Sequence, residues 1–259
     1  MADPPVVRSA TARSLAQVNR EPGRGTIFGV VTLLNAVVRP LTRRDWRAQD
    51  KIPQTGGVIV VVNHISNADP IALGQFLAFS GRWPRFLAKA SLFGVPVLGP
   101  ILRACGQIPV QRRSVKSADA LLAAVEAVHQ GRAVVIYPEG TITRDPDLWP
   151  MAGKTGAARI ALRTGCPVIP IGQWGAQELM YGPQIHFPKL LPRKTLRMLV
   201  GDPVDLDDLR DQPVTAETLD RATDRIMDAI TALVAELRQQ PPPAERFVLP
   251  PPPAPGRAS

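Results

Sequence analysis

Cysteine is scarce in this chain. Its two thiols, Cys105 and Cys166, lie far apart and form no C-x-x-C pair. That excludes a disulfide scaffold and a zinc module and fits a reducing compartment. Aromatic residues reach only 5%, and the loose Lys/Arg clusters lack the interleaved aromatics on which a nucleic-acid binder stacks bases. Residues 1–24 hold Pro4, Pro5 and Pro22 among charged side chains, with no apolar core, so they are not a secretory signal. No G-x-G-x-x-G follows a strand-like run, which removes the dinucleotide fingerprint. Gly153-Lys154-Thr155 resembles the end of a P-loop, but position 148, where that motif needs Gly, is Leu. The residues before it do not read as a strand either, so the Walker A reading fails.

The 259 residues are 45% hydrophobic and 20% charged, which specifies one folded domain with extensions rather than a solvated chain. The formal net charge is +9 and is unevenly spread: residues 1–200 carry 25 basic and 11 acidic groups, residues 201–259 carry 6 and 11. A basic body with an acidic end section points to an anionic partner: nucleic acid, an anionic membrane surface or a phosphorylated small molecule.

Composition divides the chain into four stretches. Residues 1–24 are expected to be a disordered lead-in. Gly25–Val38 runs 14 residues without a charge and leads into Arg39, Arg43, Arg44 and Arg47, with Trp46 among them. A spanning helix needs ~20 apolar residues. Residues 25–47 therefore read as a membrane-associating helical segment lying in the interface, or as a helix packed on the domain. Residues 48–240 form the main domain. Residues 241–259 hold eight prolines and are expected to be a disordered tail.

Within the main domain, Gly57–Asn63, Arg85–Ala88, Gln107–Val110, Ala133–Tyr137, Val168–Gly172 and Leu196–Val200 read as strands. The β-branched runs suit buried central positions. Pro70–Phe79, Ser117–Gln130, Lys154–Thr164 and Thr215–Arg238 read as helices. In the second, Leu121, Leu122, Val125 and Val128 are assigned to one face. The alternation predicts an α/β fold: a single domain with a mostly parallel mixed sheet flanked by helices, plus an N-terminal interfacial membrane helix.

Polar clusters follow two of the strands. Asn63-His64-Ile65-Ser66-Asn67-Ala68-Asp69-Pro70 continues directly from Gly57–Val62, and sites in open α/β sheets lie beyond the carboxyl ends of strands. His64 is suited to take a proton near neutrality, and Asp69 can fold back to orient its ring. In the alternative, Asp69 only caps the following helix and His64 is structural. Ala133–Tyr137 likewise ends in Pro138-Glu139-Gly140-Thr141-Ile142-Thr143-Arg144. Gly140 permits close backbone approach, Thr141 offers a hydroxyl, and Glu139 is placed to bond a substrate hydroxyl, orient a basic residue or face water. Arg112, beyond the strand Gln107–Val110, and Lys89, beyond Arg85–Ala88, suit a phosphate. The apolar run Leu92–Leu102 reads either as the wall of an acyl tunnel or as plain core. His129, in the last turn of a helix, and His186 receive no function.

Together these residues resemble the glycerolipid acyltransferase family that includes 1-acyl-sn-glycerol-3-phosphate acyltransferases. The family's N-H-x-S-x-x-D block is matched by Asn63, His64, Ser66 and Asp69. Its G-x-I-x-V-x-R block is matched by Gly106, Ile108, Val110 and Arg112. Its aromatic-P-E-G-T block is matched by Tyr137 to Thr141, and its P-V-I-P block by Pro167 to Pro170. Order and spacing agree over residues 55–200. The third block usually has Phe where Tyr137 stands, and it often continues Arg-Ser where this chain has Ile142-Thr143; Arg144 is a candidate substitute.

The resemblance implies transfer of a fatty acyl group from acyl-CoA or acyl carrier protein to the sn-2 hydroxyl of lysophosphatidic acid, giving phosphatidic acid. His64 and Asp69 would be the catalytic pair. Arg112, Lys89, Glu139, Gly140 and Thr141 would bind substrate. No metal or cofactor is implied beyond the thioester co-substrate. The expected location is the cytoplasmic face of the cell membrane, peripheral or monotopic, with an anionic membrane surface as partner and no nucleic acid. Glycerol 3-phosphate or another lysolipid is the alternative acceptor, and a non-catalytic basic membrane-binding protein is the alternative from a different class.

Overall fold

A computed structural model describes residues 14–19, 21, 25–111, 117–181 and 188–250. The apolar runs form strands β2 (Val58–Val62) and β5 (Ala133–Ile136), in which every residue is buried, and they pair in parallel. Around them stand β1 (Thr42–Arg47), β3 (Pro84–Lys89), β4 (Ile108–Val110), β6 (Val168–Trp174) and β7 (Lys194–Val200). Among the described residues these make one seven-stranded sheet in the order β1-β7-β6-β2-β5-β3-β4. From β6 to β4 the pairing is parallel; β7 runs antiparallel to β6, and β1 parallel to β7. The sheet is thus mixed and mostly parallel.

Successive residues of a strand face opposite sides. Ile59 and Val61 enter one apolar layer with Val134, Ile136 and Val168. Helices α5 (Ser117–His129), α6 (Gly156–Thr164) and α8 (Ala216–Arg238) cover that layer, and the short α7 (Asp207–Arg210) contributes Leu209. Val58, Val60 and Val62 enter the other layer, where α3 (Asp69–Phe79) places Leu73, Phe76 and Leu77. A third, smaller cluster joins α1 (Leu15–Val18), α2 (Gly25–Leu41) and α4 (Leu98–Ala104) to the end of α3, around Trp83. Leu122 is an exception to the predicted face of α5: it is 57% exposed, while Ala124 and Val128 point inward.

The structure corrects the reading of residues 25–47. The helix ends at Leu41, and residues 42–47 form the edge strand β1. Trp46 belongs to that strand and not to the helix. It packs edge-on against Phe76, with ring centroids 5.4 Å apart, and Arg44 lies 4.4 Å over its ring. Arg44 also donates to Gln75 and Asn35, and burial lowers its pKa to about 10. These side chains fasten β1 to α3 and α2. Helix α2 itself buries Ile27 and Val31 against the body and exposes Leu33 and Val37. No helix among the described residues is long and apolar enough to cross a membrane.

The ends also differ from expectation where they are described. In the lead-in, Leu15 and Asn19 are buried, and the Glu21 carboxylate accepts the Trp83 N–H at 2.6 Å. Residues 241–250 hold no helix or strand, yet they are held. Arg246 pairs with Asp224 and Asp228, and the Phe247 carbonyl accepts the Ala152 N–H at 3.0 Å. Within Leu92–Leu102, Leu92, Val95, Val97 and Leu98 are exposed, so the stretch is not plain core.

Helix α8 sits directly on β6. A Cβ added at Gly172 would stand 2.7 Å from the Leu233 Cβ and 3.1 Å from the Val234 nitrogen. Gly172→Ala should therefore push α8 off the sheet and cost about 1–3 kcal/mol, the usual range for overpacking. Urea unfolding would read this as a lowered midpoint, and an unchanged midpoint would refute the close contact.

Candidate active site

Strand β2 ends at Val62, and the chain then passes through Asn63 and His64 into α3. The Asn63 side chain donates to the Gln173 carbonyl at 3.1 Å and accepts the Gln173 N–H at 2.9 Å, while the Gln173 amide donates to the Asn63 carbonyl at 2.6 Å. This reciprocal clamp extends the β2–β6 pairing past the ladder. The His64 N–H donates to Glu139 Oε1 at 2.8 Å, and the His64 carbonyl accepts the Thr143 N–H at 2.7 Å. Both main-chain groups of His64 are therefore held by the segment that follows β5.

Asp69 is the first residue of α3, but it does not cap the helix. Its Oδ2 turns back and accepts the N–H groups of Ile65 at 2.7 Å and Ser66 at 2.9 Å, and lies 2.8 Å from His64 Nδ1. An oxygen that accepts two N–H groups faces Nδ1 as an acceptor too. That assigns the ring proton to Nδ1 and leaves the lone pair on Nε2. Asp69 is fully buried while the His64 side chain keeps 15% exposure, so a reactant can reach the ring but not the carboxylate. The imidazole is stacked on Tyr137, with ring centroids 4.1 Å apart, and Tyr137 is stacked in turn beside Phe86. Ser66 faces the framework: its hydroxyl donates to the Met180 carbonyl at 2.6 Å.

Burial dominates the electrostatics. It raises the Asp69 carboxyl, against the opposing pull of the His64 ring and the two backbone N–H groups. It raises the Tyr137 phenol well above its ordinary value, reinforced by the Asp69 charge, so the ring under His64 stays neutral. It raises Glu139 to about 8, although the N–H groups of Met151 and His64 favour its charged form. Among the described residues no group of three or more His, Cys, Asp or Glu side chains could hold a metal ion. The chemistry this arrangement supports is proton transfer at His64 Nε2, with the ring oriented by a desolvated carboxylate.

Residues 43–174, from β1 to the end of β6, match the family described as acyltransferase. The chain belongs to the acyltransferase family. It is 32% identical over 145 residues to a chloroplastic 1-acyl-sn-glycerol-3-phosphate acyltransferase of Brassica napus, covering 55% of this chain and 40% of that one. It is 35% identical over 123 residues to the 1-acyl-sn-glycerol-3-phosphate acyltransferase of Borreliella burgdorferi, covering 47% of each. The chain thus spans less than half the length of these curated relatives. Its fold is shared with the crystal structure of the 1-acyl-sn-glycerophosphate (LPA) acyltransferase PlsC from Thermotoga maritima. There the TM-score is 0.65 at 22% identity, covering 87% of this chain and 86% of that one.

In this family member, among the described residues, His64, Asp69, Glu139, Gly140 and Thr141 lie just beyond the carboxyl ends of β2 and β5, and Lys89 lies at the end of β3, with one difference from expectation. Glu139 is turned into the protein. It is 1% exposed, and both carboxyl oxygens are engaged, Oε1 by His64 and Oε2 by the Met151 N–H at 3.0 Å. One N–H just past the end of β2 and one in the loop after β5 have no ladder partner, and this side chain satisfies both. Lys89 is exposed at the end of β3, level with Val110 of β4. Gly140 has φ +71°, in the left-handed region, and Thr141 is half-buried beside it. Arg112, Arg113 and His186 lie outside the described residues. The sequence reading passed over Gln173, Met151 and the stacking role of Tyr137. Gln173 lies 110 residues from its partner Asn63, a separation with no local signal.

The raised Glu139 carboxyl makes stability depend on pH. Below its ordinary value of 4.5 the group is protonated in both folded and unfolded chains. Between there and about 8 only the folded chain keeps the proton, so its contribution is lost as pH rises through that window. In Glu139→Gln, denaturant midpoints measured from pH 5 to 8 should fall less steeply with pH than in the wild type. The variant should also be destabilised by about 1–3 kcal/mol, because an amide cannot accept both N–H groups. An identical pH slope in both proteins would remove Glu139 as its source.

Proposed function

We propose that the chain transfers a fatty acyl group from a coenzyme A or acyl carrier protein thioester to the sn-2 hydroxyl of lysophosphatidic acid. The observation that carries this reading is the 2.8 Å contact between His64 Nδ1 and Asp69 Oδ2, in a ring whose other nitrogen is left as a base. The names of the relatives support the acceptor. In the proposed step the hydroxyl oxygen attacks the thioester carbonyl and its proton passes to His64 Nε2. The C–S bond of the tetrahedral intermediate then breaks, and the proton goes from the imidazolium to the departing sulfur. No acyl-enzyme forms, so binding two substrates side by side supplies much of the acceleration. Asp69 stabilises the imidazolium, Tyr137 supports the ring face, and Glu139 acts as a positioning residue through the His64 main chain. Arg112, Lys89 and the Gly140–Thr141 turn are assigned to substrate.

Thioester release with lysophosphatidic acid, glycerol 3-phosphate and other lysolipids offered in parallel tests the acceptor. His64→Ala should lower turnover by about 10²–10⁴-fold or more while leaving the fold intact. Asp69→Asn should lower kcat steeply, because its amide no longer holds the ring by a charge. A folded His64→Ala protein with full turnover would sink the mechanism.

Peripheral membrane association belongs to the same reading. It rests on the exposed apolar positions Leu33 and Val37 of α2, near the exposed Arg39 and Arg43. An apolar face with cationic neighbours suits an anionic interface. Leu33→Glu with Val37→Glu should reduce sedimentation with anionic vesicles several-fold without lowering the melting temperature. Unchanged sedimentation would contradict the assignment of this face.

A further inference from the structure

We infer that Lys154 is a headgroup-binding residue of this site, supplying the cation for the acceptor phosphate where the family's third block often has arginine. The inference rests on the acyl-transfer reading above and assigns a residue to its acceptor.

The block that begins Tyr137-Pro138-Glu139-Gly140-Thr141 continues here with Ile142-Thr143. Ile142 has no charge to offer. Thr143 is buried, its hydroxyl donating to the Trp149 carbonyl at 2.8 Å and its N–H committed to the His64 carbonyl. Arg144 follows and is exposed, with its backbone N–H directed to Met151 Sδ at 3.1 Å.

A cation reaches the turn from later in the chain instead. The Lys154 N–H donates to the Pro138 carbonyl at 2.9 Å, which fixes its backbone to the segment leaving β5. From there its side chain crosses Gly140. A Cβ built on that glycine would stand 2.8 Å from Nζ and 3.1 Å from both Cδ and Cε. Gly140 is thus required twice: for its positive φ and for the room that the lysine stem occupies. The Gly140 N–H donates to the Tyr137 carbonyl at 2.9 Å, and the Tyr137 ring is the one stacked under His64. The ammonium therefore lies over a turn that is continuous with the groups holding the imidazole.

Lys154 is exposed, and an ammonium has three donors. A contact within the protein still leaves it able to bind a phosphate monoester, as a point charge rather than a bidentate fork. The Gly153-Lys154-Thr155 sequence, which fails as a P-loop, then has a different use. Its lysine serves the end of β5 rather than a glycine-rich loop of its own.

The test compares Lys154→Met, Lys154→Arg and Arg144→Met in the full chain. Each is assayed with lysophosphatidic acid and with a monoacylglycerol that differs only in lacking the phosphate. Lys154→Met should raise the KM for lysophosphatidic acid by about 10- to 100-fold, the loss expected for a charge-assisted hydrogen bond, with kcat within about threefold. Kinetics with monoacylglycerol should not change, and Lys154→Arg should recover most of the affinity. An unchanged KM in Lys154→Met, an equal loss with both acceptors, or the selective loss appearing in Arg144→Met instead would overturn the assignment. Calorimetric binding of short-chain lysophosphatidic acid without a donor separates this inference from the reading it rests on. If the wild type binds the ligand but transfers nothing, and Lys154→Met binds it more weakly, the acyl-transfer reading fails and the lysine assignment stands. If the wild type neither binds nor acylates it, the phosphate role of Lys154 is overturned as well.

Discussion

One buried carboxyl ties the two halves of the site together. Strands β2 and β5 are neighbours in the sheet and stop at the same edge, beyond which main-chain N–H groups have no ladder partner. Glu139 meets this need with one oxygen on the His64 N–H and the other on the Met151 N–H. Because Thr143 also holds the His64 carbonyl, the histidine main chain is fixed before its ring makes any contact. Asp69 then has only a rotamer to set. The desolvated carboxyl is electrostatically costly, as its elevation to about 8 records. The return is a rigid link between a loop that follows one strand and a loop that follows the next.

Much of the fold could be read from the sequence because parallel strands buried on both faces appear as continuous apolar runs, and β2 and β5 are such runs. The His64–Asp69 pair was equally legible, since both residues lie within one strand-to-helix turn. What escaped was non-local or lay at the edge of the sheet. Thr42–Arg47 looked like the cationic margin of a membrane helix, because an edge strand carries few apolar residues and its identity depends on pairing with β7 far along the chain. Glu139 read as a substrate contact because sequence gives the position of a turn carboxylate but not its direction. Leu122 was placed on the wrong side of α5 by assigning neighbours in sequence to one face, although adjacent helical residues diverge by about 100°.

The charge distribution also changes meaning. The acidic end section seemed only to offset the basic body, but several of its carboxylates meet arginines of the same section. Asp208 meets Arg221 and Arg225, while Asp224 and Asp228 meet Arg246. Such exposed pairs contribute little stability. Their effect is to neutralise that surface locally, while Asp202 reaches across to Lys51 of the basic body.

Arg238, at the last turn of α8, lies 4.0 Å over Trp149 and 4.4 Å over Trp174, and donates to the Asp147 carbonyl. Trp149 belongs to the loop that also supplies Met151 to Glu139. A ribosome delivers the chain from its N-terminus. The central strands and the histidine turn emerge first, yet the loop that braces them is clamped only when residue 238 has been made and has docked. The candidate site therefore waits for a side chain made long after its own histidine.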